Sequence, residues 1–169
     1  EVTSIVQNVN QRRTNAILGR ECRTLFGPGV MHDKLLGCTF EIGPTSFYQT
    51  NPEQTEVLYQ LALEGIFGVR EKNDNERTNN GGSGCRTNHD HTDSLSSSPL
   101  RILDAYCGTG TIGICAAKEA DSRGIPVELI GVDQVENNIA MAKRNARANA
   151  VFARVICDDA TRFIAQEAK

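Results

Sequence analysis

The residues best suited to chemistry lie in the run RILDAYCGTGTIGIC, residues 101–115. An apolar strand is predicted to end near Asp104, a glycine turn follows at Gly108 and Gly110, and a helix then begins. Glycines let a backbone approach a ligand closely, and the first turn of a helix presents N–H groups that have no partner within the helix. This combination is typical of a site for a small polar ligand.

The charge of Asp104 distinguishes two classes of ligand. The run also satisfies G-x-G-x-x-G, through Gly108, Gly110 and Gly113 with an acid at Asp133, which is typical of nicotinamide or flavin dinucleotide sites. A carboxylate at Asp104 would repel a pyrophosphate and attract an ammonium or sulfonium group. Two unit charges about 4 Å apart interact with on the order of 4 kcal/mol at an intermediate dielectric. The pattern therefore favours S-adenosylmethionine, with an NAD(P)-dependent oxidoreductase as the alternative.

Acids follow each of the three strands that are predicted after residue 100. These strands are predicted at 101–105, 127–132 and 153–157. Because the carboxyl ends of parallel strands line one crevice, we expect Asp104, Asp133 and the pair Asp158 and Asp159 to converge, with Asp133 placed to accept both ribose hydroxyls of an adenosine. A single acid in such a position is more often a helix N-cap or a solvated turn residue. Three together favour a ligand site.

Strands and helices alternate over the C-terminal part of the chain. Helices are predicted at 111–121, 135–149 and 160–167, the second with Val135, Ile139, Ala142 and Ala146 packed on the sheet. The alternation predicts right-handed βαβ crossovers and a parallel sheet, which define a Rossmann-like α/β fold.

The residues before this fold predict smaller elements. Segments 2–9, 22–26 and 35–42 are rich in β-branched or aromatic residues and predict a β-rich entry segment over 1–45. Within a linker region at 46–70, residues 52–66 predict a helix. Its predicted face carries Val57, Leu58, Leu61, Ala62 and Gly65.

Residues 71–99 are nearly devoid of large apolar side chains. Burial therefore cannot offset the entropy of ordering them, and we predict a mobile insertion. Cys85, His89 and His91 fall in this polar stretch, where nothing preorganises a metal site, and no metal is predicted.

Composition excludes several classes of protein. A net charge of −3 gives no general attraction to nucleic acid, so an RNA contact would depend on local clusters such as Arg12 and Arg13, or Lys143, Arg144 and Arg147. Such clusters are also typical of solvated surfaces. No run of about 18 apolar residues and no signal peptide is seen, which indicates a cytoplasmic protein without a membrane span.

The cysteines indicate neither zinc nor a disulfide framework. Six are present, with no C-x-x-C pair, and most lie in predicted strands or helices where a thiol packs as a small apolar group. Cys107 lies in the glycine turn, but the sequence places no histidine near it, so we interpret it as a wall of the pocket.

Two segments together carry a family resemblance. SFYQTNPEQTEVLY at 46–59, followed by LDAYCGTGTIG at 103–113, resembles the RNA uracil-5-methyltransferases, and VQNVNQRRTNAILG at 6–19 and FEIGPTSFYQTN at 40–51 resemble the same group. The members most similar to this pattern methylate 23S ribosomal RNA, although transfer-RNA members share the motifs. The resemblance implies an S-adenosylmethionine-dependent methyltransferase fold, of which residues 100–169 hold the first three parallel strands.

The resemblance also implies roles for individual residues. Gln49, Tyr106 and Thr111 would contact the cofactor, beside the turn glycines Gly108 and Gly110. Asp133 would bind the ribose, Asp159 would lie near the adenine, and Asp104 would shape the methionine end.

The implied chemistry is covalent. A cysteine thiolate adds to C6 of a flipped uracil, C5 attacks the methyl group, and a base removes the C5 proton. The family's Asp-Pro strand, Ser-Cys-Asn-Pro nucleophile motif, glutamate base and RNA-binding barrel do not occur in residues 1–169. We therefore expect a fragment without catalytic residues that binds S-adenosylmethionine weakly at most, and the non-enzymatic alternative is an RNA-binding or scaffolding module.

Overall fold

The structure of the chain is a computed structural model that describes residues 2–13, 15–19, 21–79 and 98–167. In chain order the elements are β1 (Ile5–Val9), β2 (Glu21–Phe26), β3 (Met31–Leu35), β4 (Cys38–Ile42), α1 (Pro52–Asn79), β5 (Leu100–Ala105), α2 (Thr111–Ser122), β6 (Val127–Asp133), α3 (Glu136–Ala148), β7 (Ala153–Cys157) and α4 (Ala160–Glu167). None of these helices is long and apolar enough to cross a membrane.

Strands β5, β6 and β7 form a parallel sheet in that order. Alternate residues of β6 pack on opposite faces of this sheet. Leu129 packs with residues of α2 and α3, whereas Ile130 and Val132 pack with Phe163 of α4. Side chains of a central parallel strand are buried on both faces, which accounts for the apolar run in β6. The predicted α/β fold is confirmed, with element ends within about one residue of those predicted.

The N-terminal strands form two separate antiparallel hairpins, β1 with β2 and β3 with β4. The prediction of one strand over 35–42 was wrong, because the chain reverses at Leu36 (φ 48°) and Gly37 (φ 76°). Two consecutive residues with positive φ are typical of the tight turns that join hairpin strands. Strand β3 was missed because Leu36 carries no sequence signal for this backbone conformation.

Helix α1 buries a different face from the one predicted. Val57, Leu58 and Leu61 are exposed, with 48%, 53% and 61% of their surfaces accessible. The buried side chains follow one row at i, i+4, i+8 and i+12: Thr55, Tyr59, Leu63 and Phe67. The two polar members of this row have hydrogen-bond partners, which removes the cost of burying them.

Helix α1 also continues past the predicted end at residue 66 to Asn79. It therefore enters the polar segment 71–99 that we predicted to be mobile. The greater part of that segment, together with Cys85, His89 and His91, lies outside the described residues.

Candidate functional site

The centre of the site is the turn between β5 and α2. Three of its residues have positive φ: Tyr106 at 59°, Gly108 at 55° and Gly110 at 83°. The turn is tied to the sheet because the Cys107 N–H donates to the Val132 carbonyl at 3.0 Å, and the Gly110 N–H donates to the Cys107 carbonyl at 2.8 Å. The first of these bonds fixes the turn against β6, and the second closes the turn itself.

The two turn glycines serve different purposes. A Cβ atom at Gly110 would lie 3.1 Å from Ile114 and 3.3 Å from Ala142, so this glycine allows α2 to approach α3. A Cβ atom at Gly108 would meet no atom within 4 Å. The backbone at Gly108 thus borders open space, where a ligand could approach the turn.

Asp133 is the last residue of β6, and its side chain binds the turn from this neighbouring strand. Its Oδ2 atom accepts the Gly108 N–H at 3.0 Å, and its Oδ1 atom accepts the Val135 N–H at 2.8 Å and the Asn138 amide at 3.3 Å. The side chain is 9% exposed. A carboxylate has about four lone-pair positions, so one acceptor position remains for a ligand hydroxyl.

Asp104 lies on the other side of the turn. Its Oδ2 atom accepts the Gly113 N–H at 3.0 Å, and a Cβ atom at Gly113 would lie only 2.7 Å from that oxygen. Burial, with a smaller contribution from the negative charge of Asp133, raises the pKa of Asp104 to about 6. The two acidic side chains thus flank the turn, an arrangement that a cationic group would stabilise.

The acids after β7 reach the same edge of the sheet. The Asp158 N–H donates to the Asp133 carbonyl at 3.0 Å, and the Asp158 carboxylate pairs with Arg162. Asp159 accepts the Arg162 N–H at 2.8 Å, as an N-cap of α4, and the Gln134 amide at 2.5 Å. The structure thus brings the strand-end acids together, and Asp159 also has the capping role that is common for a single acid.

Tyr106 and Thr111 have hydroxyl partners on other elements. The Tyr106 hydroxyl lies 2.8 Å from the Thr161 hydroxyl, while its ring stays largely exposed. The Thr111 hydroxyl lies 2.7 Å from the hydroxyl of Tyr59, whose pKa is raised by burial. These contacts hold the turn between α4 on one side and α1 on the other.

Gln49 lies in a segment that is fixed on both sides. The Tyr48 hydroxyl donates to Asp33 at 3.1 Å, and the Asn51 side chain caps α1 by accepting the Gln54 N–H at 3.1 Å. Within the part of the chain that the structure describes, no hydrogen bond of the half-buried Gln49 amide is seen. This amide is therefore available to a ligand.

Sequence reasoning missed the contact that positions β4 beside the turn. Three residues of α3 and its C-terminal end contact three residues at and after β4 in reverse order: Met141 with Gly43, Asn145 with Glu41, and Asn149 with Thr39. Successive partners are four residues apart on the helix, a rise of about 6.0 Å, and two residues apart on the strand, a rise of about 6.7 Å. Because these two distances are similar, each helix residue lies opposite its strand partner. We name this set of contacts the asparagine clamp.

Asn145 connects the asparagine clamp to the turn. Its Oδ1 atom accepts the Glu41 N–H at 2.8 Å, and its Nδ2 atom donates to the Glu41 carbonyl at 3.1 Å and to the Thr109 carbonyl at 3.0 Å. The side chain is 1% exposed. The only sequence signal for it was its position next to Ala146, at the edge of the helix face predicted to pack on the sheet, where an unpaired amide would be costly.

Cys107 does not have the properties of a nucleophile. Burial, aided by the charges of Asp104 and Asp133, raises its pKa to about 12. The thiol is thus protonated near neutral pH, as expected for a wall of the pocket. Over the described ranges, no group of three or more His, Cys, Asp or Glu side chains could hold a metal ion.

Comparison with known proteins defines the class. The family model for the methyltransferase domain matches residues 96–162. The crystal structure of the Pyrococcus abyssi tRNA (uracil-54, C5)-methyltransferase, in complex with S-adenosyl-L-homocysteine, superimposes with a TM-score of 0.58. That match has 26% sequence identity and covers 92% of this chain and 30% of the other. The fold is that of the S-adenosylmethionine-dependent methyltransferases.

Curated relatives narrow the class further. An uncharacterized RNA methyltransferase of Listeria innocua is 36% identical over 149 residues, which are 88% of this chain and 25% of the relative. Another from Halalkalibacterium halodurans is 39% identical over 154 residues, or 91% of this chain and 26% of the relative. The chain is homologous to RNA methyltransferases, as its motifs indicated, and spans about a quarter of their length.

Proposed function

We propose that this chain is the S-adenosylmethionine-binding part of an RNA uracil-C5 methyltransferase. The observation that carries the proposal is the pair of carboxylates, Asp104 and Asp133, which flank a glycine turn with open space at Gly108. The RNA methyltransferase relatives and the tRNA uracil-C5 methyltransferase neighbour support the reaction class. The uridine would belong to 23S ribosomal RNA, with transfer RNA as the alternative substrate, and the reaction would occur in the cytoplasm.

The residues around the turn suit this cofactor in charge and shape. Its methionine end carries an ammonium group and its sulfur a positive charge, and Asp104 offers a partly buried carboxylate with a raised pKa. The remaining acceptor position of Asp133 would take one ribose hydroxyl, and the available amide of Gln49 would bind a polar group of the cofactor. S-adenosylmethionine supplies a methyl group on a sulfonium centre, which a carbon nucleophile can take.

The same charges disfavour the oxidoreductase alternative. Asp104 accepts the Gly113 N–H, one of the amides at the start of α2 that a pyrophosphate would require. A dinucleotide would have to place two further negative charges beside Asp104 and Asp133. Coulomb repulsion of this kind costs several kcal/mol at about 4 Å and intermediate dielectric.

The loop between β1 and β2 is the part of this chain that we propose to contact RNA. Asn8 and Asn10 hold the loop, because Asn8 accepts the Gly19 N–H and Asn10 donates to the Ala16 carbonyl, both at 2.7 Å. Arg12 and Arg13 are exposed on it and could contact phosphates.

The basic cluster on α3 is less suited to RNA. Arg144 forms an ion pair with Glu41 at 2.8 Å, which occupies its guanidinium. The other two members, Lys143 and Arg147, are exposed and lie one helical turn apart, and charges in such positions are common on solvated helices.

Thermal protection tests the ligand class. The purified chain is melted alone, with S-adenosylhomocysteine and with NADH, each at the same millimolar concentration. A ligand that binds only the folded state at 100 times its Kd stabilises it by about 2.7 kcal/mol, which raises Tm by several degrees. We expect the homocysteine compound alone to raise Tm. Protection by NADH alone would support the oxidoreductase, and protection by neither would support the scaffolding module.

A further inference from the structure

Tyr59 is the residue of α1 that reaches the glycine turn. Its hydroxyl lies 2.7 Å from that of Thr111, the first residue of α2. The Tyr59 side chain belongs to the core cluster that includes Phe40 and Ile42, and only 8% of its surface is exposed. Among the described residues, Thr111 is the one hydrogen-bond partner of the Tyr59 hydroxyl. Neither the proposed cofactor contacts nor the proposed RNA contact includes Tyr59.

The burial of Tyr59 determines which of the two hydroxyls donates. Each hydroxyl has one proton to donate and lone pairs that accept. If Thr111 donated, the proton of Tyr59 would be buried without an acceptor, which is costly. Tyr59 therefore donates to Thr111, and burial, which raises the pKa of Tyr59, favours this protonated form. The proton of the half-buried Thr111 hydroxyl is then available to a ligand.

The start of α2 places hydrogen-bond donors beside a carboxylate. Gly110 gives α2 no side-chain cap, and in the described part of the chain no hydrogen bond of the Thr111 and Ile112 N–H groups is seen. The next amide, that of Gly113, donates to Asp104. The donors at Thr111 and Ile112 suit a carboxylate group, whereas Asp104 suits an ammonium group. An α-amino acid carries both groups on one carbon, and S-adenosylmethionine ends in an α-amino acid.

We propose that Tyr59 is a positioning residue for the amino-acid end of the cofactor. By donating to Thr111, it directs the Thr111 O–H toward the carboxylate of that end. The inference rests on the proposed function, because it concerns the same turn and the same cofactor. It adds a source of specificity, since a nucleoside without an amino-acid end gains nothing from Tyr59.

Removal of the Tyr59 hydroxyl alone isolates this role. Tyr59→Phe keeps the aromatic ring in the core, and Leu63 and Phe67 still pack against α2. The Thr111 hydroxyl loses its donor, so nothing directs its proton toward the ligand. Binding should therefore weaken only for ligands that carry the amino-acid end.

Calorimetric titration with two ligands tests this selectivity. S-adenosylhomocysteine has the amino-acid end, whereas 5′-methylthioadenosine has the same nucleoside and thioether without it. We expect Tyr59→Phe to bind S-adenosylhomocysteine about tenfold more weakly than wild type, equivalent to about 1.4 kcal/mol, and to bind 5′-methylthioadenosine with unchanged affinity. Thr111→Val should show the same selective loss. Tyr59→Phe added to Thr111→Val should have no further effect, because the two hydroxyls act as a unit.

Tyr48→Phe is the matched control, because the Tyr48 hydroxyl donates to Asp33 and not to the turn. This variant should leave the ratio of the two affinities as in wild type. If Tyr59→Phe weakens both ligands equally, or neither, the positioning role is overturned while the proposed function stands. If wild type fails to bind S-adenosylhomocysteine, the proposed function and this inference are overturned together.

Discussion

Replacing Asn145 with alanine should destabilise the protein far more than the same change at Asn149. Both side chains bind the backbone N–H and carbonyl of one β4 residue and one further carbonyl. Asn145 is buried, however, so its three partners would lose their hydrogen bonds without gaining water, whereas the Thr39 groups that Asn149 binds can be hydrated.

The magnitude follows from counting those partners. Each buried polar group left unpaired costs roughly 1 kcal/mol or more, which gives about 3 kcal/mol for Asn145→Ala. A gain in helix propensity of up to about 0.7 kcal/mol acts in the opposite direction. We therefore expect a net loss of about 2 kcal/mol, against less than about 1 kcal/mol for Asn149→Ala.

Urea unfolding at neutral pH measures both free energies of unfolding. The two variants should have the same m-value and different midpoints. If they lose equal stability, burial does not set the strength of these hydrogen bonds and the role assigned to the asparagine clamp is wrong. Asn145→Ala should also weaken binding of S-adenosylhomocysteine, because the Thr109 carbonyl loses the amide that holds the turn.

Three further predictions concern Asp104 and its neighbour. Asp104→Asn should raise the free energy of unfolding at pH 7 by on the order of 2 kcal/mol, because the ionisation of a carboxyl whose pKa in the folded protein is raised to about 6 destabilises the fold. A lower midpoint of urea unfolding for this variant would contradict the prediction. For the same reason, the stability contributed by protonated Asp104 is lost as pH rises from about 4 to about 6, and a pH series should show this slope in wild type but not in Asp104→Asn. Gly113→Ala places a Cβ atom 2.7 Å from the Asp104 carboxylate and should lower both the Tm and the affinity for S-adenosylhomocysteine. The control Gly65→Ala, which lies in open space on α1, should raise the Tm. Equal changes in Tm for the two variants would contradict the close approach of Gly113 to Asp104.

The sequence predicted the α/β part of the fold well because its signals are local. The strands and helices after residue 100 carry clear apolar periods, and a glycine turn beside Asp104 is restricted to few backbone geometries. The strand-end acids could be placed together because parallel strands bring their carboxyl ends to one edge.

The features that could not be predicted depend on contacts between distant residues. Val57, Leu58 and Leu61 are more apolar than Thr55 and Tyr59, so composition alone selects the wrong face of α1. Thr55 can be buried only because its hydroxyl donates to the Asn51 carbonyl, and Tyr59 only because its hydroxyl shares a hydrogen bond with that of Thr111. The asparagine clamp joins β4 to α3 across about a hundred residues, and no local pattern reveals such a pairing.

Calorimetric titration with S-adenosylhomocysteine, on wild type and Asp104→Asn, tests the central claim most directly. The substituted amide keeps the shape of the side chain and can still accept the Gly113 N–H, so only the charge is removed. Asp121→Asn, which removes an exposed carboxylate at the other end of α2, is the matched control. We predict saturable binding to wild type and to the control, and at least about tenfold weaker binding to Asp104→Asn, equivalent to about 1.4 kcal/mol. Equal affinity of all three proteins would contradict the role assigned to the Asp104 carboxylate.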